Sequence, residues 1–139
     1  SEAANNTNVD MDLAGHNILV AEDNDLNWEI LNELLSDFGM KLEWAENGQV
    51  CLEKFEASEP GYYAAILMDI RMPVMNCIED TQQIRASAHS DAKTIPIIAM
   101  TADAFSEDVQ RCVDSGMNAH TAKPINLDEV ISLLKKFIL

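Results

Sequence analysis

Five short apolar runs alternate with five stretches of helical periodicity, and this alternation limits the fold more than any other feature of the chain. The runs are Asn17–Ala21, Met40–Ala45, Tyr62–Met68, Ile95–Met100 and Met117–Thr121. In the central one, Ala64 to Met68 carry no charge and no turn former, and Asp69 follows directly. A short run that is apolar throughout fits a strand buried on both faces, and such strands belong to parallel sheets covered by helices. Parallel neighbours need crossovers of a dozen or more residues, and each intervening helix supplies one. Right-handed crossovers then put helices on both faces. The expectation is an α/β fold, a doubly wound (βα)5 sandwich whose parallel five-stranded sheet has the order 2-1-3-4-5.

The helical stretches carry their own signals. The first runs from about Leu26 to Phe38 behind Asp25 as N-cap, with Leu26, Ile30, Leu34, Leu31, Leu35 and Phe38 on one apolar face. Gly39 ends it. Asn47 caps the second, which turns Val50, Cys51, Leu52 and Phe55 inward. The third begins near Ile78, after Pro73. The fourth, about Phe105 to Ser115, places Phe105, Val109, Cys112 and Val113 on one side, and Gly116 terminates it. Asn126, with Glu129 three residues later, opens the last helix in the manner of a capping box.

The 139 residues suffice for one domain with a real core. Residues 1–15 are small, polar and acidic, and are expected as a flexible tail or linker before a domain at 16–139. A formal charge of −15 repels phosphate backbones and argues against direct nucleic-acid binding. No run approaches the roughly 20 apolar residues of a membrane span, so no membrane contact is expected. Cys51, Cys77 and Cys112 show no C-x-x-C spacing and read as reduced thiols of a cytoplasmic protein, with Cys77 nearest to solvent. Trp28 and Trp44 read as packing residues.

Chemistry gathers at the carboxyl ends of the strands, where open α/β sheets form their sites. Strand one ends in Glu22 and Asp23, strand three in Asp69, strand four in Thr101, and strand five is followed by Lys123 and Pro124. In the order 2-1-3-4-5 these ends are neighbours. Clustered carboxylates repel and need a cation or raised pKa values. Only oxygen ligands are on offer, which selects a hard ion, Mg²⁺ before Ca²⁺. A lysine and a hydroxyl beside such a metal point to phosphoryl transfer, with Asp69 as carboxylate nucleophile and Thr101 and Lys123 on the phosphoryl oxygens.

These stretches resemble the receiver domain of two-component response regulators. The resemblance rests on Ile18-Leu19-Val20-Ala21-Glu22-Asp23-Asn24, Leu67-Met68-Asp69-Ile70-Arg71-Met72-Pro73-Val74-Met75, Ile97-Ile98-Ala99-Met100-Thr101-Ala102 and Ala122-Lys123-Pro124, and covers about residues 16 to 139. It implies a flavodoxin-like fold and Asp69 as acceptor of a phosphoryl group from a histidine kinase or histidine phosphotransfer domain. It implies Asp23 and Asp69 as direct Mg²⁺ ligands, Glu22 acting through water, and the main-chain carbonyl of Arg71 as a further ligand. His120, three residues before Lys123, falls where the family often has an aromatic switch residue that follows Thr101. The flavour of the motifs is similar to receivers of hybrid sensor histidine kinases. The domain itself is then no enzyme beyond its Mg²⁺-assisted self-phosphorylation, and a weak dimer is compatible with it. One departure stands out: Asn76-Cys77 replaces the family's usual Asp-Gly, and Cys77 resists the positive φ a glycine permits.

Other readings fit less well. An FMN-binding protein of this fold needs a Ser/Thr/Gly-rich loop after strand one, where this chain has Glu22-Asp23-Asn24-Asp25. A Mg²⁺-dependent phosphohydrolase carries a second acid two residues past the nucleophile, where this chain has Arg71. A degenerate receiver that only binds protein is the alternative that Cys77 sustains.

Overall fold

The computed structural model describes residues 11–71 and 76–139; the Met72-Pro73-Val74-Met75 part of the motif lies outside the described residues. The elements follow the expected alternation: β1 Asn17–Ala21, α1 Asp25–Ser36, β2 Lys41–Ala45, α2 Gly48–Ala57, β3 Tyr63–Asp69, α3 Cys77–Ala86, β4 Ile97–Thr101, α4 Glu107–Asp114, β5 Ala119–Ala122 and α5 Leu127–Ile138. All four strand pairings are parallel, and the sheet runs β2-β1-β3-β4-β5. This is the expected 2-1-3-4-5 order. Ile66, Leu67 and Met68 are fully buried, as a strand covered on both faces requires.

Alternation along the strands divides the core in two. One cluster holds Leu19, Ile66, Met68, Ile97 and Ala99 with Phe55 of α2, Ile84 of α3 and Val109 of α4. The other holds Ile18, Val20, Leu67, Ile98 and Met100 with Leu31 and Leu35 of α1 and Val130 and Leu134 of α5. Leu13 belongs to this second cluster, 1 % exposed. The chain therefore joins the folded body before residue 16. Residues 1–10 of the expected tail lie outside the described residues.

Several local expectations need correction. Asn24, not Asp25, caps α1: its side chain accepts from the Asn27 N–H. Leu26 and Ile30 do not face the core but are 60 % and 48 % exposed. Leu31 and Leu35 are the buried residues of α1, so the face it turns to the core is narrower than the periodic stripe. Phe105 lies in the loop before α4, which Ser106 caps, and is 97 % exposed instead of packed. Asn76 is extended at φ −75° and caps α3 by accepting from the Glu79 N–H at 2.9 Å. Cys77 is then the first helical residue, so nothing at this site demands a positive φ. Nor are all three cysteines free thiols. Cys77 and Cys112 form a disulfide between α3 and α4, with Cα atoms 5.8 Å apart, and Cys77 is buried, not near solvent. Their 35-residue separation is a tertiary proximity that no sequence spacing announces. Cys51 is free and buried.

Candidate functional site

The strand ends assemble the site. Glu22 and Asp23 follow β1 directly, Asp69 is the last residue of β3, Thr101 the last of β4, and Lys123 follows β5. Backbone bonds lock these ends together. The Glu22 N–H donates to the Ala45 carbonyl at 3.0 Å, the Ile70 N–H to that of Met100 at 3.1 Å, and the Lys123 N–H to that of Thr101 at 2.7 Å. The Lys123–Pro124 peptide is cis.

The side chains then meet. Lys123 Nζ donates to Asp69 Oδ2 at 2.8 Å and to Glu22 Oε1 at 3.1 Å. Glu22 is 2 % and Asp69 6 % exposed, so this one ammonium bridges two buried carboxylates. Asp23 is exposed at the rim. One carboxylate oxygen each from Glu22, Asp23 and Asp69 lies within 4.8 Å of the others, a spacing that fits oxygen ligands of one hard cation. The Arg71 N–H donates to Asp69 Oδ1 at 2.9 Å and fixes the carboxylate plane.

Charge and burial pull against each other here. Burial raises the Glu22 pKa, and the Asp69 charge raises it further, against the Asn24 N–H and Lys123. Burial alone would lower the Lys123 pKa, but the hydrogen bonds and charges of Asp69 and Glu22 outweigh it, and the ammonium is held more firmly than usual. The pocket is electrostatically short of positive charge, which a divalent cation would supply.

Two expected members stand apart. The Thr101 hydroxyl is engaged in its own loop, donating to the Asp103 carbonyl and accepting from the Asp103 N–H, both at 3.1 Å. His120 is exposed on β5, in register with Ala99, and shares the sheet face of Thr101. Sequence reasoning missed a further member. Trp44 Nε1 donates to the Glu22 carbonyl at 2.6 Å, and its ring stacks on Trp28 with centroids 5.7 Å apart and planes 5° apart. The indole thus steers the β1–α1 turn that carries both acids. Nothing short of the β1–β2 register would have revealed it.

Beside the lysine, α1 and the loop after β5 frame a cleft of about 160 Å³ lined by Asn27, Ile30, Leu34, Pro124 and Ile125. Ile30, 48 % exposed, gives this cleft an apolar rim, and the exposed Leu26 lies one turn before it on α1.

The family model for the response regulator receiver domain matches residues 18–135. The chain belongs to this family. Receiver domains act in two-component and phosphorelay signalling. The sequence is 35 % identical over 118 residues to the peroxide stress-activated histidine kinase mak1 of Schizosaccharomyces pombe, covering 84 % of this chain and 7 % of that protein. It is 38 % identical over 120 residues to hybrid signal transduction histidine kinase I of Dictyostelium discoideum, covering 83 % of this chain and 7 % of that kinase. The chain thus spans less than a tenth of the length of these two kinases. Among solved structures, the receiver domain of the sensor histidine kinase PA1611 of Pseudomonas aeruginosa PAO1 superposes with a TM-score of 0.81 at 34 % identity, over 90 % of this chain and 98 % of that one. That receiver has a magnesium ion coordinated in its active-site cleft. The receiver of Ssk1 from Saccharomyces cerevisiae, crystallised with the histidine phosphotransfer protein Ypd1, gives 0.76 at 27 % identity, covering 88 % of each chain.

Proposed function

We propose that this receiver takes a phosphoryl group from a phosphohistidine onto Asp69, with Mg²⁺ held by Asp23, Asp69 and the Arg71 carbonyl and steadied by Glu22. The observation that carries the reading is the bridge from Lys123 to Asp69 and Glu22 across from the exposed Asp23. The ion would neutralise the acids and the phosphoryl oxygens during transfer. One Asp69 oxygen attacks phosphorus, the bond from phosphorus to the imidazole nitrogen breaks, and the histidine leaves neutral once protonated. Lys123 then turns from the carboxylates to a phosphoryl oxygen, and Thr101 leaves Asp103 to bind another. His120 follows Thr101 from the neighbouring strand. The chain would be the receiver of a hybrid histidine kinase, a reading supported by the kinship to mak1 and the Dictyostelium kinase, and would act in the cytoplasm. A degenerate receiver is disfavoured because the acids and the lysine are all present and converge.

The stacked indoles give the ion a built-in reporter. Mg²⁺ is expected to change the tryptophan emission, since Trp44 holds the turn bearing both acids. In Asp23→Asn the midpoint should rise roughly tenfold, the loss of about 1.4 kcal/mol of binding. Superimposable titrations of the two proteins would remove Asp23 from the site.

The donor would be a histidine phosphotransfer domain seated on the apolar rim of α1. Ile30 is large, exposed and lines the cleft beside the site, and the exposed Leu26 lies one turn before it, the character of an interface centre and not of a solvated helix face. Ile30→Glu should slow transfer from a phosphorylated histidine phosphotransfer protein by about tenfold or more, the scale of one interface anchor. Loading from acetyl phosphate should be unchanged. Equal slowing with both donors would place Ile30 in the chemistry, and no slowing with either would move the docking surface elsewhere.

A further inference from the structure

The disulfide has no part in the phosphoryl chemistry, yet it borders on it. Cys77 opens α3 and Cys112 lies inside α4, both in the same buried cluster. Ile70, which follows Asp69, and Arg71 line one cleft with Asn76, Cys77, Arg111 and Cys112, a space of about 230 Å³. Both cysteines are therefore buried, and both line this cleft. Charges of both signs surround the pair: Arg71, Asp108 and Arg111 line the cleft, and Glu79 and Asp80 share the first turn of α3 with Cys77. Arg111 pairs with Glu107 and Asp108 on its own helix. For Cys51, burial, then the Asp80 charge, push its thiol up and keep it inert.

We infer that Cys77 and Cys112 are a reversible thiol–disulfide site whose closure ties α4 to α3 and weakens loading of Asp69. The coupling half rests on the reading of Asp69 given above. A glutathione-class disulfide is the oxidant. The Cys77 thiolate attacks one of its sulfurs, forming a mixed disulfide and releasing one thiolate. Cys112, deprotonated, then attacks the Cys77 sulfur and releases the second. Two protein thiols lose two protons and two electrons, and the donor becomes two thiols. The direction of the effect follows from Thr101. Its hydroxyl must leave Asp103, and the loop 102–106 that must move leads straight into the cap of α4. A tether on α4 resists that movement.

The test takes the 139-residue chain through glutathione buffers of graded oxidised-to-reduced ratio, then alkylates and weighs it. Tryptophan emission next follows beryllofluoride binding with Mg²⁺ in the fully oxidised and fully reduced protein. The expected result is a reversible two-thiol transition, with binding about fivefold or more weaker when oxidised, a common size for coupling between sites. Cys77→Ala, which has neither the attacking thiol nor a tie between the helices, should bind like the reduced protein in every buffer. A pair that never closes, or a disulfide that no buffer opens, overturns the redox site. Equal binding by both forms overturns the coupling alone. No binding by either form overturns the Asp69 reading, and the coupling with it, while the thiol transition is still read by mass.

Discussion

Asp80→Ala is expected to stabilise the fold, and by an amount that grows with pH. Asp80 sits in α3 with no exposed surface, and neither of its carboxylate oxygens has a hydrogen-bond partner among the described residues. A buried polar group without a partner is costly, and a buried charge more so. Burial, followed by the charge of Glu79, raises its pKa from 3.8 to about 8. Below about pH 4 the folded and unfolded chains both keep the proton, so titration costs nothing. Above that the unfolded chain releases it while the folded chain holds it, so stability falls as pH climbs toward 8. The slope from this one group reaches about 1.4 kcal/mol per pH unit. Other groups titrate too, Glu22 among them, and the difference between wild type and variant isolates Asp80. Denaturant melts at pH 5 and pH 7 should show the variant's advantage widening by about 2 kcal/mol or more. A constant difference between the two would mean that Asp80 finds a partner or water in solution.

Lys123→Ala is expected to cost about 2–3 kcal/mol in EDTA, the cost of leaving buried carboxylates unpaired, reduced because the lysine is 21 % exposed. Glu22 and Asp69 would face each other with no cation, and burial already raises Glu22. Mg²⁺ should recover more stability in the variant than in the wild type, because the ion no longer competes with an ammonium for the same oxygens. Phosphoryl uptake should nonetheless fall, since no ammonium remains to receive the transferred oxygens. Thermal melts with and without Mg²⁺ check the first two statements. Equal melting of wild type and variant in EDTA would show that the bridge carries no weight.

The fold was legible because its signal is repetitive. An apolar run ending in Asp69 forces a doubly covered strand, and four more runs with helices between them leave one common topology. The strand-end acids and Lys123 were legible for the same reason: once the order is known, their positions converge. What sequence could not show was what each helix face meets. The stripe of α1 names Leu26 and Ile30 as apolar but not that they stay exposed while Leu31 and Leu35 take the buried side. Phe105 fits the periodicity of α4, yet the Ser106 cap starts the helix after it. Asn76 takes the capping role through its own side-chain oxygen and leaves Cys77 helical, a role its position before α3 does not announce. The Cys77–Cys112 and Trp44–Glu22 contacts join segments far apart in sequence and follow only from packing α3 on α4 and β2 on β1.

The central claim is that Asp69 is a Mg²⁺-dependent phosphoacceptor, and intact mass after incubation with acetyl phosphate tests it most directly. The account predicts the added mass of one phosphoryl group in the presence of Mg²⁺, its disappearance in EDTA, and no addition to Asp69→Asn under either condition. Labelling that persists in Asp69→Asn, or that is undiminished in EDTA, would contradict it.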